Sequence, residues 1–458
     1  MKEIVSPAPP PLVHNQFEAV RELFSRNVVP SYGRFDLVLS HGQGSYVFDV
    51  AGKRYLDLGA GIAVCCLGHA HPAITEALLE QSRKLIHVSN LYYTEPQGRL
   101  AAELVKRLGP GKCFFANSGA EANEGLFKVA RKFGHDEGRF EILTATNSFH
   151  GRTLAGIAAT GQDKVKKGFE PMTPGLRHIP FNDLAAARSA LSPATVAILI
   201  EGVQGEGGIT PASPEYLLGL RALCDEKKLM LFMDGVQCGH YRTGKFQSFQ
   251  RILEDKVGQA SRLPSGRDSA SNSSHPASAR AGETPALPSF LPDGVSMAKS
   301  LGGGFPIGAF WVRAPYADLL GPGTHATTFG GTPLACAVAL KVLEVIEREQ
   351  LAGNVRKLGE WFKHELERLA TQYPQVVKGA RGLGFMIGLE LVEKGKNSKL
   401  AASDKSAAVQ FVNRLHQLGV MTIPAGAQIV RLLPPLNLKP QEAGEGIARI
   451  EEAVKALA

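Results

Sequence analysis

The sequence predicts an α/β protein: a large domain on a mostly parallel sheet covered by helices, plus a smaller α+β domain drawn from both chain ends. Three observations carry this. Short apolar runs ("KCFFA", "EILTA", "VAILIE", "LMLFMD", "GVSMA", "GAFWV") alternate with segments of helical spacing, the alternation expected of a parallel sheet with crossover helices. The runs are apolar at nearly every position, as strands buried on both faces are. After about Gly331 the chain turns helical ("PLACAVALKVLEVIEREQ") and then mixed, with strand-like "GFMIGLEL" and "QIVRLLPPL".

Taken in order, the first thirty or so residues read as a Pro-rich arm and one short helix. In "GSYVFDVAGKRYLDL" apolar and polar residues alternate around Ala51-Gly52-Lys53, a hairpin signal. Helical spacing starts beyond His71, in "PAITEALLEQSRKL" and "PQGRLAAELVKRL". The expected division is an N-terminal segment, 1–70, joining the small domain; a large domain, 71–330; and a C-terminal small domain, 331–458. At roughly 150 residues per domain, a chain of 458 residues accommodates this. One stretch stands apart, 256–289: Ser, Ala, Pro and Gly dominate it and apolar periodicity is almost absent. It reads as a disordered surface insertion.

Composition narrows the function. Hydrophobic residues at 44% and charged residues at 21% exclude collagen, coiled coil, disulfide scaffolds and wholesale disorder. The net charge of +8 is dispersed, with no basic run, so no nucleic-acid partner is expected. The six Cys include no CxxC pair, and no metal site is expected. The N-terminus "MKEIVSPAPPPL" lacks the apolar stretch of a secretory signal, and no apolar run is long enough to span a membrane. A cytoplasmic location is the expectation. Walker and GxGxxG signatures are absent.

Three segments carry chemistry instead. "NSGAEANE" follows an apolar run and opens a helix, so the small residues Ser118, Gly119 and Ala120 offer free backbone N–H groups at a positive dipole end, a phosphate cradle. "LMLFMDGVQCG" ends a strand on Asp234, where ligands of open α/β sheets bind. "SMAKSLGGGFPIGA" sets Lys299 before three glycines, and a desolvated Lys is an amine nucleophile. Each alone has an ordinary structural explanation. Together they match pyridoxal 5′-phosphate: the Lys bonds it covalently, the Asp holds its pyridine N–H, and the helix N-terminus takes its phosphate.

On these segments, and on "AGIAVCCLGHAHP", "HVSNLYYTEPQ", "FHGRTLAGIAATGQ", "EGVQGEGGI", "RTGKF", "HATTFGGTPLACAVA", "RGLGFMIGLEL" and "RLLPPL" in one order, the chain resembles class III, fold-type I aminotransferases, most of all those acting on acetylornithine. The resemblance covers nearly everything from about residue 15 onward except 256–289, and it implies a mostly parallel, seven-stranded-type sheet in the large domain. It implies that Lys299 carries the cofactor and moves the substrate proton, Asp234 pairs with the pyridine nitrogen, and Gln237 bonds the ring 3′-oxygen. Ser118, Gly119 and Ala120 take the phosphate, and Phe149 and Val236 flank the ring. Thr328 reaches the phosphate of a neighbouring subunit, making the unit a homodimer. Arg152, Arg381 and Tyr93 bind substrate, and Glu206 pairs with Arg381 as a gate that opens for 2-oxoglutarate.

The implied reaction is transamination of N2-acetylornithine with 2-oxoglutarate, giving N-acetylglutamate 5-semialdehyde and glutamate, a step of arginine biosynthesis. Succinylornithine, ornithine and 4-aminobutyrate are alternative donors. "GAGIAV" lacks the Tyr with which ornithine enzymes of the family hold a free α-amino acid, which favours an acylated donor. A PLP-fold protein of reduced activity, a non-catalytic one and an aminomutase are the other readings. The chain departs from the family at Gly235, where Glu is usual, and at Thr332, where Asn is usual.

Overall fold

A computed structural model describes residues 15–260, 290–401 and 403–458. Its centre is a seven-stranded sheet in the order Gly111–Ala116, Gly308–Arg313, Gly294–Met297, Met230–Asp234, Thr195–Glu201, Glu141–Ala145, Leu176–Ile179. Only Gly308–Arg313 runs antiparallel to its neighbours; the other pairings are parallel. All six apolar runs of the sequence become strands of this sheet. The seventh, Leu176–Ile179 ("LRHI"), is a short edge strand whose mixed polarity gave no signal.

Apolarity explains the order. Every residue of Thr195–Glu201 and of Met230–Asp234 is buried, so these strands occupy the middle, covered on both faces. One cover is the helix Gly119–Gly134, whose Leu126, Phe127 and Val129 pack with Phe232 and Phe310. On the other face Leu100 and Leu104 share a core with Leu217, Leu220 and Leu231. Asp234 pairs in register with Glu201 on one side and Ser296 on the other. The carboxyl ends of three strands therefore finish at one level, and that level holds the site.

The two chain ends share a sheet. Tyr46–Asp49 and Arg54–Asp57 form the expected hairpin; its turn is fixed by Gly52 at φ +80° and by Asp49 Oδ1, which accepts from Ala51 N and Lys53 N at 2.9 Å. Arg54–Asp57 then runs parallel to Val420–Met421. A second small sheet orders Val377–Leu383, Met386–Leu391, Ile429–Leu432 and Ile423–Pro424. Helices Pro333–Arg348 and Leu351–Gln372 pack behind it through Phe362, Leu366 and Phe385. Thr332 N-caps the first of these, Oγ1 accepting from Ala335 N at 3.3 Å. Thr and Asn both serve as N-caps, so this departure from the family keeps a capping residue in place.

The stretch 256–289 lies outside the described residues from 261 onward. Its first residues, through Ala260, continue the helix Ser248–Ala260, so the break in order expected at 256 does not occur there. No helix among the described residues is long and apolar enough to cross a membrane.

Candidate active site

A cavity of about 430 Å³ opens at the carboxyl ends of the sheet strands. Ser118, Gly119 and Ala120 form its floor at the start of the helix Gly119–Gly134. Ser118 is extended (φ −148°, ψ 165°) and caps the helix, its Oγ accepting from Glu121 N at 3.2 Å. A Cβ on Gly119 would stand 2.7 Å from Val236 Cγ1, so only glycine lets the helix end come this close to the loop after Asp234.

Lys299 reaches the same cavity from just past the strand Gly294–Met297. Its backbone is left-handed, φ 49°, a costly conformation for a side-chain-bearing residue and one found most often where function fixes a side chain. Burial, with the Arg431 guanidinium nearby, pulls its ammonium from 10.5 down to about 8. A Lys held so is partly a free amine near neutral pH.

Asp234 lines the cavity opposite. Burial alone would push its carboxyl up. His150 Nδ1 and Asn123 Nδ2, each 2.8 Å from Oδ2, and Val236 N, donating to Oδ1 at 3.0 Å, outweigh burial and hold it below its usual value. One strand over, Glu201 behaves oppositely. It accepts from Phe149 N and Gly205 N, yet burial raises it to about 7. Two adjacent strand-end carboxylates thus differ: His150 and Asn123 hydrogen-bond Asp234 alone, and the Asp234 charge adds to the rise at Glu201.

Phe149, Val236, Gln237 and Arg152 also line the cavity, and the Arg152 guanidinium stacks 5.1 Å from the Phe149 ring centre. Glu206, however, does not pair with Arg381. Its Oε1 accepts from Arg431 Nη1 at 2.7 Å, and the same nitrogen donates to Gln237 Oε1 at 3.1 Å. Arg381 is ion-paired with Glu390 at 3.2 Å; Arg381, Arg431 and Glu206 all stand outside the cavity lining. The reason is register. Arg381 and Arg431 both lie opposite Gly388, one on each flanking strand, and the strand bearing Arg431 is the one that meets Glu206. Tyr93, expected to bind substrate, is fully exposed and does not line this cavity. Thr328 is likewise exposed and outside this lining. Sequence reasoning missed Asn123, His150, Glu201 and Arg431. All four stand inside quoted motifs, in "NSGAEANE", "FHGRT", "EGVQGEGGI" and "RLLPPL".

The residues present fit pyridoxal 5′-phosphate. One cavity holds a desolvated amine, a carboxylate kept ionised, and a helix N-terminus narrowed by glycine. Fold and site together define an aminotransferase of the pyridoxal-phosphate type. The aminotransferase class-III family model matches residues 28–255 and 278–454, passing over part of the Ser/Ala/Pro/Gly-rich stretch. The chain belongs to the class III aminotransferases. It is 40% identical to the acetylornithine aminotransferase of Gloeobacter violaceus, over 94% of this chain and 96% of that one. It is 38% identical to the succinylornithine transaminase/acetylornithine aminotransferase of Pseudomonas aeruginosa, over 97% and 98%. Among solved structures, the ornithine aminotransferase of Toxoplasma gondii, with partial occupancy of PLP at its active site, superposes with a TM-score of 0.83 at 28% identity, covering 96% of this chain and 94% of that one.

Proposed function

We propose that this protein transfers the side-chain amino group of N2-acetylornithine to 2-oxoglutarate, yielding N-acetylglutamate 5-semialdehyde and glutamate, a step toward arginine. The convergence of Lys299, Asp234 and the Ser118–Ala120 helix start on one cavity carries the reading. The relatives' names supply the donor.

Bound there, pyridoxal 5′-phosphate supplies an electron sink for the substrate carbon that loses a proton. Lys299 would hold the cofactor, and its Nζ would take that proton and return it. A pKa of about 8 suits an amine that must do both. Asp234, held ionised by His150 and Asn123, accepts from the ring N–H. The Ser118 hydroxyl and the Gly119 and Ala120 amides take the phosphate, Gln237 meets the ring oxygen, and Phe149 and Val236 enclose the ring.

Arg152 binds the carboxylate of either substrate. Arg431, rather than Arg381, is the second carboxylate receptor. Its charge is covered by Glu206 while the neutral acylated end of the donor occupies the site, and is uncovered for the second carboxylate of 2-oxoglutarate. We assign the working unit as a homodimer in which exposed Thr328 serves the partner's phosphate site. The setting is cytoplasmic, a reading supported by six unpaired cysteines.

The test is a panel of half-reactions. The cofactor-loaded enzyme is mixed with acetylornithine, succinylornithine, ornithine and 4-aminobutyrate in turn, and loss of the lysine-bound cofactor absorbance is followed. Acetylornithine reacts fastest. A faster reaction with any other donor reassigns the substrate. In Lys299→Ala that absorbance disappears; its persistence rejects the cofactor assignment.

A further inference from the structure

Position 235 lacks a side chain directly after the carboxylate that anchors the site, and the space is filled from elsewhere. A Cβ on Gly235 would stand 2.2 Å from Gln247 Oε1 and 3.0 Å from its Cδ. A Cβ on Gly239 would stand 2.7 Å from the same oxygen and 3.0 Å from Nε2. The Gln247 amide therefore packs against both ends of the turn Asp234–Gly239, which bears Asp234, Val236 and Gln237. Gln247 is fully buried, and among the described residues neither its Oε1 nor its Nε2 has a hydrogen-bond partner. A primary amide kept in the interior at that cost is there for its shape. Hydrogen bonds also hold the turn: Gly235 N to Ser296 O at 3.0 Å, Val236 N to Asp234 Oδ1 at 3.0 Å, Gly239 N to Gly235 O at 3.0 Å, Arg242 N to Gly239 O at 3.1 Å, and Cys238 Sγ to Asp234 O at 3.4 Å. The next residue, Ser248, reaches the same turn, its Oγ donating to Cys238 Sγ at 3.1 Å.

The geometry points to Gln247 as a positioning residue for the cofactor: its side chain occupies the volume that a side chain at 235 would take, and so fixes the turn that aims Asp234 and Gln237. This rests on the reading of those two residues as holders of pyridoxal phosphate. It makes Gly235 and Gln247 a coupled pair rather than a loss at 235 alone.

The experiment is a transposition in the full-length enzyme. Gly235→Gln, Gln247→Ala and the double variant are compared for cofactor affinity, for the circular dichroism of the bound cofactor, and for the melting temperature of the apoprotein. Gly235→Gln, forcing two side chains into one space, weakens cofactor binding about tenfold, and Gln247→Ala, which leaves the turn without that packing, by several-fold. The double variant moves the amide to the other side of the same space. Of the three atoms nearest that Cβ, Ser296 O at 3.0 Å remains, and it asks a shift of a few tenths of an ångström. It recovers cofactor affinity to within about threefold of the original enzyme, and recovers the dichroism as well. Rescue of a Gly235→Gln protein that does not fold supports the pairing equally. A double variant that binds no better than Gly235→Gln, or a Gly235→Gln enzyme that binds as the original does, overturns it. Failure of the original enzyme to take up pyridoxal phosphate would instead overturn the cofactor reading.

Discussion

His150 Nδ1 stands 2.8 Å from Asp234 Oδ2, and both side chains are buried. The pair is what keeps a carboxylate charged where burial opposes charge. With His150→Leu that balance reverses and the Asp234 carboxyl titrates higher. The acid limb of the kcat profile then moves to higher pH, and cofactor affinity falls by about tenfold to a hundredfold, the scale of one hydrogen bond to a buried charge. His150→Asn, which can still donate, loses less. An acid limb unmoved in His150→Leu would show that Asn123 and Val236 suffice.

Much of this site was legible because its parts are local. Asp234 closes the run "LMLFMD", Lys299 follows "GVSMA", and Ser118 opens a helix; each position is fixed by a strand end a few residues away. What was not legible depends on side chains brought together across the fold. Asp234 and His150 are separated by many residues, and only the parallel pairing of the strands brings them together. The choice between Arg381 and Arg431 is a matter of register: both align with Gly388, and one-dimensional spacing does not tell which flanking strand meets Glu206. Gln247 gave no signal at all, since its role is defined by the missing side chain at 235.

Arg431 is buried, whereas Arg381 is partly exposed and held by Glu390. Arg431→Ala raises KM for 2-oxoglutarate by about a hundredfold or more, as loss of a charge-assisted carboxylate contact does. The half-reaction with the amino donor changes far less. Arg381→Ala gives a much smaller rise. Steady-state kinetics with the oxo acid varied, set against single-turnover rates with the donor, separate the two. Equal effects of the two substitutions would return the role to Arg381.

Lys299 leaves a trace in stability as well as in chemistry. Its ammonium is displaced in the folded protein from 10.5 to about 8, so the unfolded chain binds the proton more tightly. Below pH 8 both states are protonated, and the folded apoprotein bears the full cost of a desolvated charge. Between pH 8 and 10.5 the folded state gives up its proton first, stability rises with pH, and the cost vanishes above the unfolded value. Lys299→Met removes the group. Near pH 7 the variant apoprotein is therefore more stable than the original by about 3 kcal/mol from this source. The other ionisable groups are present in both proteins, so the difference in denaturant midpoints is the quantity to follow. It shrinks steadily as pH is raised from 8 toward 10.5. A constant difference over that range would mean that Lys299 keeps an ordinary pKa, and that its reactivity comes from placement alone.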